Sequence, residues 1–306
     1  MSVRINIKSK LFSAAGALLM IVYATQAQST QELLPANIDV ISIDTTLVTV
    51  NVSVTDHKNK RLPGLKLEDF RVSDEGKLVS PEFFDTGGPL SIVFVVDVSS
   101  SMRAHWHDLK SGLKKFLAKE PEGSDYTLIT FNEKAQLVTS SANAKQLWET
   151  FNTLRPYGET ALFDGLLLGL QALERAPQRH KALVLLSDGE DNSSEAGLSA
   201  VEHHALLHRA TIYSVGILFD RELSPYQVGG KKLLNQLAAA TGGLVLFPET
   251  NRIPAVLNLI RVDLSDQYSL SYYPPKKTLG WHRVEINIAQ NVSRLNLRYQ
   301  QRYQMK

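Results

Sequence analysis

The chain has 306 residues, with 33 basic and 31 acidic side chains, no cysteine, and a hydrophobic fraction of 43%. This composition is typical of a globular protein and excludes collagen, a coiled coil and an intrinsically disordered chain. The first 27 residues contain Arg4, Lys8 and Lys10 and no acid, so the remainder carries 30 of the basic residues and all 31 acidic ones. Without a surplus of positive charge, the sequence predicts neither a nucleic-acid partner nor an anionic membrane surface.

The amino terminus has the three-part pattern of a secretory signal peptide. Residues 1–10 are basic, residues 11–24 form an apolar run, and Thr25 and Ala27 place small residues before a cleavage point. A bilayer core takes about 20 apolar residues, so this run is too short to span one. We therefore predict a signal peptide over 1–27, a linker over 28–36, and an exported protein, periplasmic or extracellular. An uncleaved membrane anchor is the alternative.

The segments at both ends of the mature chain have a hydrophobic period of two. In the segment 37–88 this alternation involves Val48, Val50, Val52 and Val54, which predicts a strand with one face buried. Turn residues follow at 56–60 and 62–64, and then a charged hairpin around 74–76. The same period returns over 266–306, where apolar residues alternate at Tyr268, Leu270, Tyr272, Val284, Ile286, Ile288, Leu295, Leu297 and Tyr299.

Between these segments, residues 89–265 alternate between apolar strands and amphipathic helices. Uninterrupted apolar runs lie at 90–96, 182–186, 212–217 and 244–247. Helical spacing is found in two sets of residues, Trp106, Leu109, Leu113 and Phe116, and then Ile253, Val256, Leu257, Ile260 and Leu264 with Pro254 in the first turn. Strands without alternation are typical of a parallel sheet that is covered on both faces. The fold class predicted here is therefore α/β.

The two β segments are too short to be stable alone, because a small isolated hairpin is marginal in water. We therefore predict that 37–88 and 266–306 pair into one small β-sandwich, into which the α/β unit 89–265 is inserted. Two independent β appendages on the α/β unit are the alternative.

The first apolar strand ends in a pattern of oxygen donors. Asp97 closes the strand, and Ser99 and Ser101 follow in the turn that leads to the next helix. Open α/β sheets bind ligands at the carboxyl ends of their strands. Hard oxygen donors of this kind suit Mg²⁺, Mn²⁺ or Ca²⁺. By itself this pattern is weak, and it more often indicates a helix cap with surface serines.

Two later residues complete a known arrangement. Thr160 lies at the start of an apolar helix, and Asp188 ends another apolar strand. With Asp97, Ser99 and Ser101, they resemble the metal-ion-dependent adhesion site of the von Willebrand factor type A domain, over 89–265. The resemblance implies a Rossmann-like, mostly parallel sheet flanked by helices. Looser motifs at 50–56, 62–65, 69–72 and 266–274 resemble the flanks of bacterial exported relatives.

The resemblance also implies a binding function. In that family the hydroxyls of Ser99, Ser101 and Thr160 would coordinate the cation, and Asp97 and Asp188 would act largely through water. One coordination position is left for an aspartate or glutamate of a partner protein. The expectation is therefore a Mg²⁺-dependent (or Mn²⁺- or Ca²⁺-dependent) protein-binding module and not an enzyme.

An enzyme is the main alternative, as a Mg²⁺-dependent hydrolase or phosphatase. An aspartyl-phosphate phosphatase needs a second aspartate two residues after the first, and Ser99 stands there. The chain has no G-x-S-x-G, HExxH, P-loop or G-x-G-x-x-G motif. A metal-free scaffold with a vestigial site is the other alternative.

The remaining polar residues near these motifs have a simpler interpretation. His204 and His208 have the spacing of a zinc pair on a helix, but no third ligand is evident. We predict solvated helix positions for both, and also for His105 and His107. Acidic residues after Asp188, namely Glu190 and Asp191, are predicted to line the rim of a loop.

Overall fold

The computed structural model describes residues 47–119, 121–217, 225–289 and 295–305. The predicted signal peptide and linker lie outside these residues. The described strands are β1 (Val48–Thr55), β2 (Phe70–Asp74), β3 (Lys77–Val79), β4 (Phe83–Thr86), β5 (Leu90–Asp97), β6 (Asp125–Phe131), β7 (Ala135–Ala142), β8 (His180–Ser187), β9 (Thr211–Gly216), β10 (Val245–Leu246), β11 (Tyr268–Tyr272), β12 (Gly280–Ile288), β13 (Asn296–Arg298) and β14 (Arg302–Met305). The described helices are α1 (Trp106–Leu117), α2 (Ala144–Thr153), α3 (Leu162–Glu174), α4 (Leu198–Leu207), α5 (Pro225–Thr241) and α6 (Ile253–Ser265).

The α/β unit is built on a six-stranded sheet with the order β10-β9-β8-β5-β6-β7. The strands β10, β9, β8, β5 and β6 run parallel, and only the edge strand β7 is antiparallel to its neighbour. The predicted mostly parallel sheet is therefore confirmed, with β5 at its centre. Every residue of β5 is buried, because helices cover both faces of the strand.

The two faces of this sheet have separate hydrophobic cores. Ile92, Phe94 and Val96 of β5 face a core shared with α1, α2 and α6. Val93 and Val95 point to the opposite face, where α3, α4 and α5 supply the apolar residues. The uninterrupted apolar run in the sequence follows directly from this two-sided burial. No helix within the described ranges is long and apolar enough to cross a bilayer.

The terminal segments form a sandwich of two four-stranded sheets, β13-β1-β11-β4 and β14-β12-β2-β3. Both sheets combine strands from before and after the α/β unit, since β1 and β4 pair with β11, and β2 pairs with β12. The inward residues of the two sheets form one hydrophobic cluster. The predicted single sandwich with an inserted α/β unit is therefore confirmed.

The prediction that β1 has one buried face is wrong for its carboxyl half. Val52 and Val54 face the sandwich core as expected, but Ser53 and Thr55 on the other face are also buried. The reason is that α6 lies against this face, where Ser53 Oγ donates a hydrogen bond to Asp263 Oδ2 (3.1 Å).

Asp263 is the centre of a polar network at the junction of α6 with the sandwich. Its carboxylate accepts hydrogen bonds from Arg61 Nη2 (2.5 Å), Arg298 Nη2 (2.6 Å) and Tyr213 Oη (2.5 Å) as well as from Ser53. The two guanidinium groups come from the sandwich segments, and Tyr213 lies on β9 of the α/β unit. This network ties the α/β unit to both flanking segments.

The charged hairpin at 74–76 forms as predicted, between β2 and β3. Glu75 and Gly76 form its turn with positive φ angles of 49° and 73°. Asp74, however, is fully buried, because its carboxylate accepts hydrogen bonds from Tyr272 Oη (2.9 Å) and Tyr303 Oη (2.6 Å). Burial and the neighbouring Asp74 carboxylate raise the pKa values of both tyrosines.

Candidate metal centre

The predicted ligand residues lie at the carboxyl edge of the six-stranded sheet. Asp97 is the last residue of β5, and Ser99 and Ser101 follow it in a turn of 3₁₀ helix. Asp188 follows β8 directly, and β8 is the neighbour of β5 in the sheet. Thr160 lies in the loop before α3, two residues before the helix begins.

Hydrogen bonds connect four of these residues. Ser99 Oγ lies 3.0 Å from Ser101 Oγ, and Ser101 Oγ donates to Asp188 Oδ2 (2.8 Å). Asp97 Oδ1 accepts from the Ser99 N–H (2.8 Å). Asp97, Ser99 and Asp188 are buried, whereas Ser101 is exposed, so the cluster opens to solvent at Ser101.

Ser187 is a member of this cluster that the sequence analysis did not identify. Its hydroxyl donates to Asp97 Oδ2 (2.9 Å) and accepts from the N–H of Gly189 (3.0 Å). It therefore links the ends of β5 and β8. The available signal was a hydroxyl residue directly before Asp188 at the end of an otherwise apolar strand.

The second loop is held against the first by backbone hydrogen bonds. The N–H of Tyr157 donates to Val98 O (2.7 Å), and the N–H of Ser100 donates to Gly158 O (3.0 Å). Gly158 has a φ of +83°, and a Cβ atom there would lie 2.3 Å from Glu133 Oε1. The left-handed conformation therefore favours glycine at this turn, while the exposed Glu133 side chain could move away from a larger residue.

The loop that follows Asp188 caps helix α3 and so positions Thr160. Asp191 Oδ1 accepts hydrogen bonds from the N–H groups of Leu162 (2.8 Å) and Phe163 (3.3 Å). The N–H of Thr160 donates to Asn192 Oδ1 (2.9 Å), and Thr160 O accepts from the Asn192 N–H (3.0 Å). The first amides of a helix have no partner within the helix and are normally satisfied by such side chains.

This capping corrects the interpretation of Asp191 as a loop-rim residue. Its carboxylate is instead a structural acceptor at the helix amino terminus, and the N–H groups of Glu195 and Ala196 donate in turn to Asp164 on α3. Glu190 is half-buried beside Asp188, and its pKa is raised by burial and by the Asp188 charge.

Electrostatics set the two aspartates apart from ordinary buried carboxylates. Burial, followed by the nearby charge of Asp188, raises the pKa of Asp97 to about 7. Burial also raises the pKa of Asp188. Among the described residues, no lysine, arginine or histidine forms an ion pair with either carboxylate. Buried charges are normally paired or coordinate a metal, so this cluster has the electrostatics of a cation site.

The donor set also fits a hard divalent cation. Two carboxylates and three hydroxyls are oxygen donors of the type that Mg²⁺ prefers. In the described part of the chain, no group of three or more His, Cys, Asp or Glu residues is arranged to hold a metal. A cation at this edge would therefore depend on the hydroxyl oxygens. In the described structure, no hydrogen bond joins the Thr160 hydroxyl to the other four residues.

The histidines depart from the prediction of solvated positions. His105 is buried, and the side chain of His208 is only 13% exposed beside Glu174. The rings of His204 and His208 lie 5.8 Å apart. His107 is exposed, as predicted. His208 lies at the end of α4 beside Glu174 of α3, and His105 lies directly before α1.

Comparison with known proteins supports the family resemblance. The family model of the von Willebrand factor type A domain matches residues 92–190. Inter-alpha-trypsin inhibitor heavy chain H4 of Sus scrofa is 26% identical over 171 residues, which cover 51% of this chain and 18% of that protein. Heavy chain H3 of Rattus norvegicus is 28% identical over 145 residues, 42% of this chain and 16% of that protein.

A solved structure extends the likeness beyond the matched segment. The von Willebrand factor type A protein from Catenulispora acidiphila has a TM-score of 0.51 and 14% identity, and the match covers 86% of this chain and 74% of that one. At this identity the match shows the fold alone. The chain spans less than a fifth of the length of the curated relatives it matches. The family-model match over residues 92–190, together with the sheet topology, supports a von Willebrand factor type A domain in this chain.

Proposed function

We propose that this protein is an exported, metal-dependent protein-binding module. A divalent cation, Mg²⁺ or alternatively Mn²⁺ or Ca²⁺, would be held by Asp97, Ser99, Ser101, Thr160 and Asp188. A partner protein would supply an aspartate or glutamate carboxylate to that cation. The observation that carries this proposal is the pair of buried carboxylates that face serine hydroxyls without a described cationic partner.

The residue types favour binding of an external carboxylate. Neutral hydroxyls from Ser99, Ser101 and Thr160 would leave most of the positive charge of the cation uncompensated, and the bound ion would supply an electrophilic site for a hard anion. Asp97 and Asp188 balance part of that charge from buried positions. The exposure of Ser101 leaves the cluster accessible from solvent.

Binding is favoured over turnover by the identity of the residue at position 99. A phosphatase of the aspartyl-phosphate type requires an acidic residue there as a proton donor, and Ser99 instead donates its N–H to Asp97. Export is proposed from the basic, apolar and small-residue pattern over 1–27.

Calorimetric titration with Mg²⁺ and Mn²⁺ tests the metal site directly. We expect the wild-type protein to bind one cation and Asp97→Ala to bind none, with unchanged circular dichroism. Glu190→Gln is the matched control, because it removes a neighbouring carboxylate that is outside the proposed ligand set, and it should retain cation binding. Uptake of neither cation by the wild-type protein would contradict the proposal and leave a metal-free scaffold.

The second arm tests capture of a carboxylate. A short peptide with a single aspartate should bind the wild-type protein in Mg²⁺ and be released by EDTA, whereas the same peptide with asparagine should not bind. Equal binding of the two peptides would contradict the proposed role of the partner carboxylate, even if the cation itself binds.

A further inference from the structure

Three cationic side chains converge on one short segment beside the proposed metal centre. Arg103 Nε donates to Pro156 O (3.1 Å), Lys110 Nζ donates to Asn152 O (2.6 Å), and Arg155 Nη1 donates to Leu154 O (2.8 Å). All their acceptors are carbonyl oxygens of residues 152–156, at the end of α2. We refer to Arg103, Lys110 and Arg155 as the cationic cluster.

The cationic cluster has no described anionic counterpart. No ion pair in the described residues involves any of its three members. Burial lowers the pKa of Lys110, and repulsion from the nearby positive charge of Arg155 lowers it further. Cations are favoured at a helix carboxyl terminus. That preference explains the position of the three cations. The carbonyl groups are neutral acceptors, so they do not neutralise the positive charges as a carboxylate would.

The cationic cluster is continuous with the loops of the metal centre. Arg103 follows the proposed ligand Ser101 by two residues, in the same 3₁₀ turn. The segment 152–156 leads directly into Tyr157, whose N–H donates to Val98 O between Asp97 and Ser99. The side chain of Tyr157 is 57% exposed, and those of Arg103 and Arg155 are also exposed. A partner at the metal would therefore find these groups beside its docked carboxylate.

The acidic residues around the site make contacts that do not involve the cationic cluster. Glu159 accepts a hydrogen bond from Asn192 Nδ2 (2.9 Å), and Glu190 follows Asp188. Glu190 lies in the third loop, Glu159 of the second loop is bonded to that third loop, and the Glu133 carboxylate lies against Gly158. Among the described residues none of these three acids forms an ion pair with the cationic cluster, so its charges are available to an anionic partner that extends from the metal centre toward residues 152–156.

We infer that the cationic cluster binds acidic side chains that flank the partner's metal-binding carboxylate. The partner is then a protein segment with several aspartates or glutamates close together, one at the cation and others at Arg103, Lys110 and Arg155. This inference rests on the proposed function and specifies the chemistry of its partner. Three cations gathered around the five-residue segment 152–156 can pair with a few side-chain carboxylates. An extended polyanion would need a longer row of basic residues.

Two synthetic peptides of equal length test the inference. One contains a single aspartate among glycines and serines, and the other has three glutamates beside that aspartate. In Mg²⁺ at low salt, we expect the acidic peptide to bind about tenfold more tightly, since each exposed ion pair contributes roughly a two- to fivefold change. The advantage should shrink as salt screens the charges.

Charge-reversal variants assign that advantage to named residues. The double variant Arg103→Glu, Arg155→Glu should lose the preference for the acidic peptide and retain both Mg²⁺ binding and the affinity for the single-aspartate peptide. The matched control is Lys115→Glu, which reverses an exposed charge on helix α1 outside the cationic cluster. It should keep the preference.

The possible failures are distinguishable. Equal affinity for the two peptides in Mg²⁺ would overturn the inference and leave the proposed function intact. Binding of the acidic peptide that survives EDTA but is lost in the double variant would support the cationic cluster and contradict the metal-dependent function. If heparin binds more tightly than the acidic peptide and depends on Arg103 and Arg155, the choice of a protein partner is overturned.

Discussion

Two buried carboxylates, Asp97 at the proposed metal centre and Asp263 at the junction with the sandwich, have opposite surroundings. Asp263 is 3% exposed and accepts hydrogen bonds from two arginines as well as from Tyr213 and Ser53. Asp97 is fully buried, and its described hydrogen-bond donors are neutral groups of Ser99 and Ser187, with the acidic Asp188 nearby.

The difference separates a structural carboxylate from one that is proposed to be functional. Removing one partner of a buried ion pair is strongly destabilising, so Asp263 and its arginines are expected to hold the two parts of the chain together. The charge of Asp97 is compensated by no described residue and is therefore available to an external cation. Burial alone does not distinguish the two aspartates; their hydrogen-bond donors do.

The largest expected effect is on the junction. Asp263→Ala removes the buried carboxylate that Arg61, Arg298 and Tyr213 share, and we expect the free energy of unfolding to fall by about 3–5 kcal/mol. Urea denaturation measures this change. Asp266→Ala is the control, because it removes the more exposed partner of Arg61 (3.1 Å) and should cost below about 1 kcal/mol. Equal losses for the two variants would contradict the structural role of Asp263.

The second prediction concerns pH at the metal centre. The folded-state pKa of Asp97, about 7, lies above its ordinary value of 3.8, so the metal-free protein favours the protonated carboxyl. The contribution of this carboxyl group to the free energy of unfolding is fully present below about pH 4 and is lost as the pH rises to about 7. Relative to Asp97→Asn, the free energy of unfolding of the wild-type protein in EDTA should fall by up to about 4 kcal/mol across that pH range.

Denaturation at several pH values, with EDTA and with Mg²⁺, measures this dependence. Saturating Mg²⁺ should abolish the loss in the wild-type protein and leave Asp97→Asn unaffected, because a bound cation compensates the ionised carboxylate. A wild-type protein whose stability relative to Asp97→Asn is constant from pH 4 to 7 would contradict the predicted electrostatics of the centre.

A smaller effect is expected at Thr160. Thr160→Ala removes one neutral oxygen donor, while the backbone bonds of residue 160 to Asn192 keep the loop in place. We expect Mg²⁺ affinity to fall roughly tenfold, with the fold intact, and binding of the aspartate peptide to be lost. Thr160→Ser retains the hydroxyl and should restore both in the same calorimetric assay. Failure of serine to rescue would argue against coordination through this hydroxyl.

The smallest effect returns to the junction. Ser53→Ala removes one hydrogen bond to Asp263 (3.1 Å) and leaves both arginines and Tyr213 in place. The expected loss of unfolding free energy is about 1 kcal/mol. Urea denaturation alongside Asp263→Ala measures it, and a loss as large as that of Asp263→Ala would mean that the arginines contribute little.

Some strands of the six-stranded sheet could be predicted from the sequence, and others could not. The strands β5, β8 and β9 were predicted because apolar residues dominate each of them. By contrast, β6 and β7 were not identified individually, since threonines interrupt the apolar run of β6 and polar residues dominate β7. The antiparallel edge of the sheet therefore emerged only from the structure.

The candidate site shows the same division. Asp97, Ser99, Ser101, Thr160 and Asp188 were predicted because strand ends and known spacings mark them in the sequence. Their status as metal ligands remains a prediction. Ser187 and the capping role of Asp191 were missed, because each depends on which atoms lie opposite in another loop.

The hydrophobic period of each segment, the α/β class and the position of the oxygen donors follow from the amino-acid sequence alone. Those properties depend on residues that are close in the chain or on one strand. Which buried carboxylate has a cationic partner depends instead on contacts between distant segments. Arg61 and Arg298 reach Asp263 from residues 202 and 35 positions away, and no local pattern records such contacts.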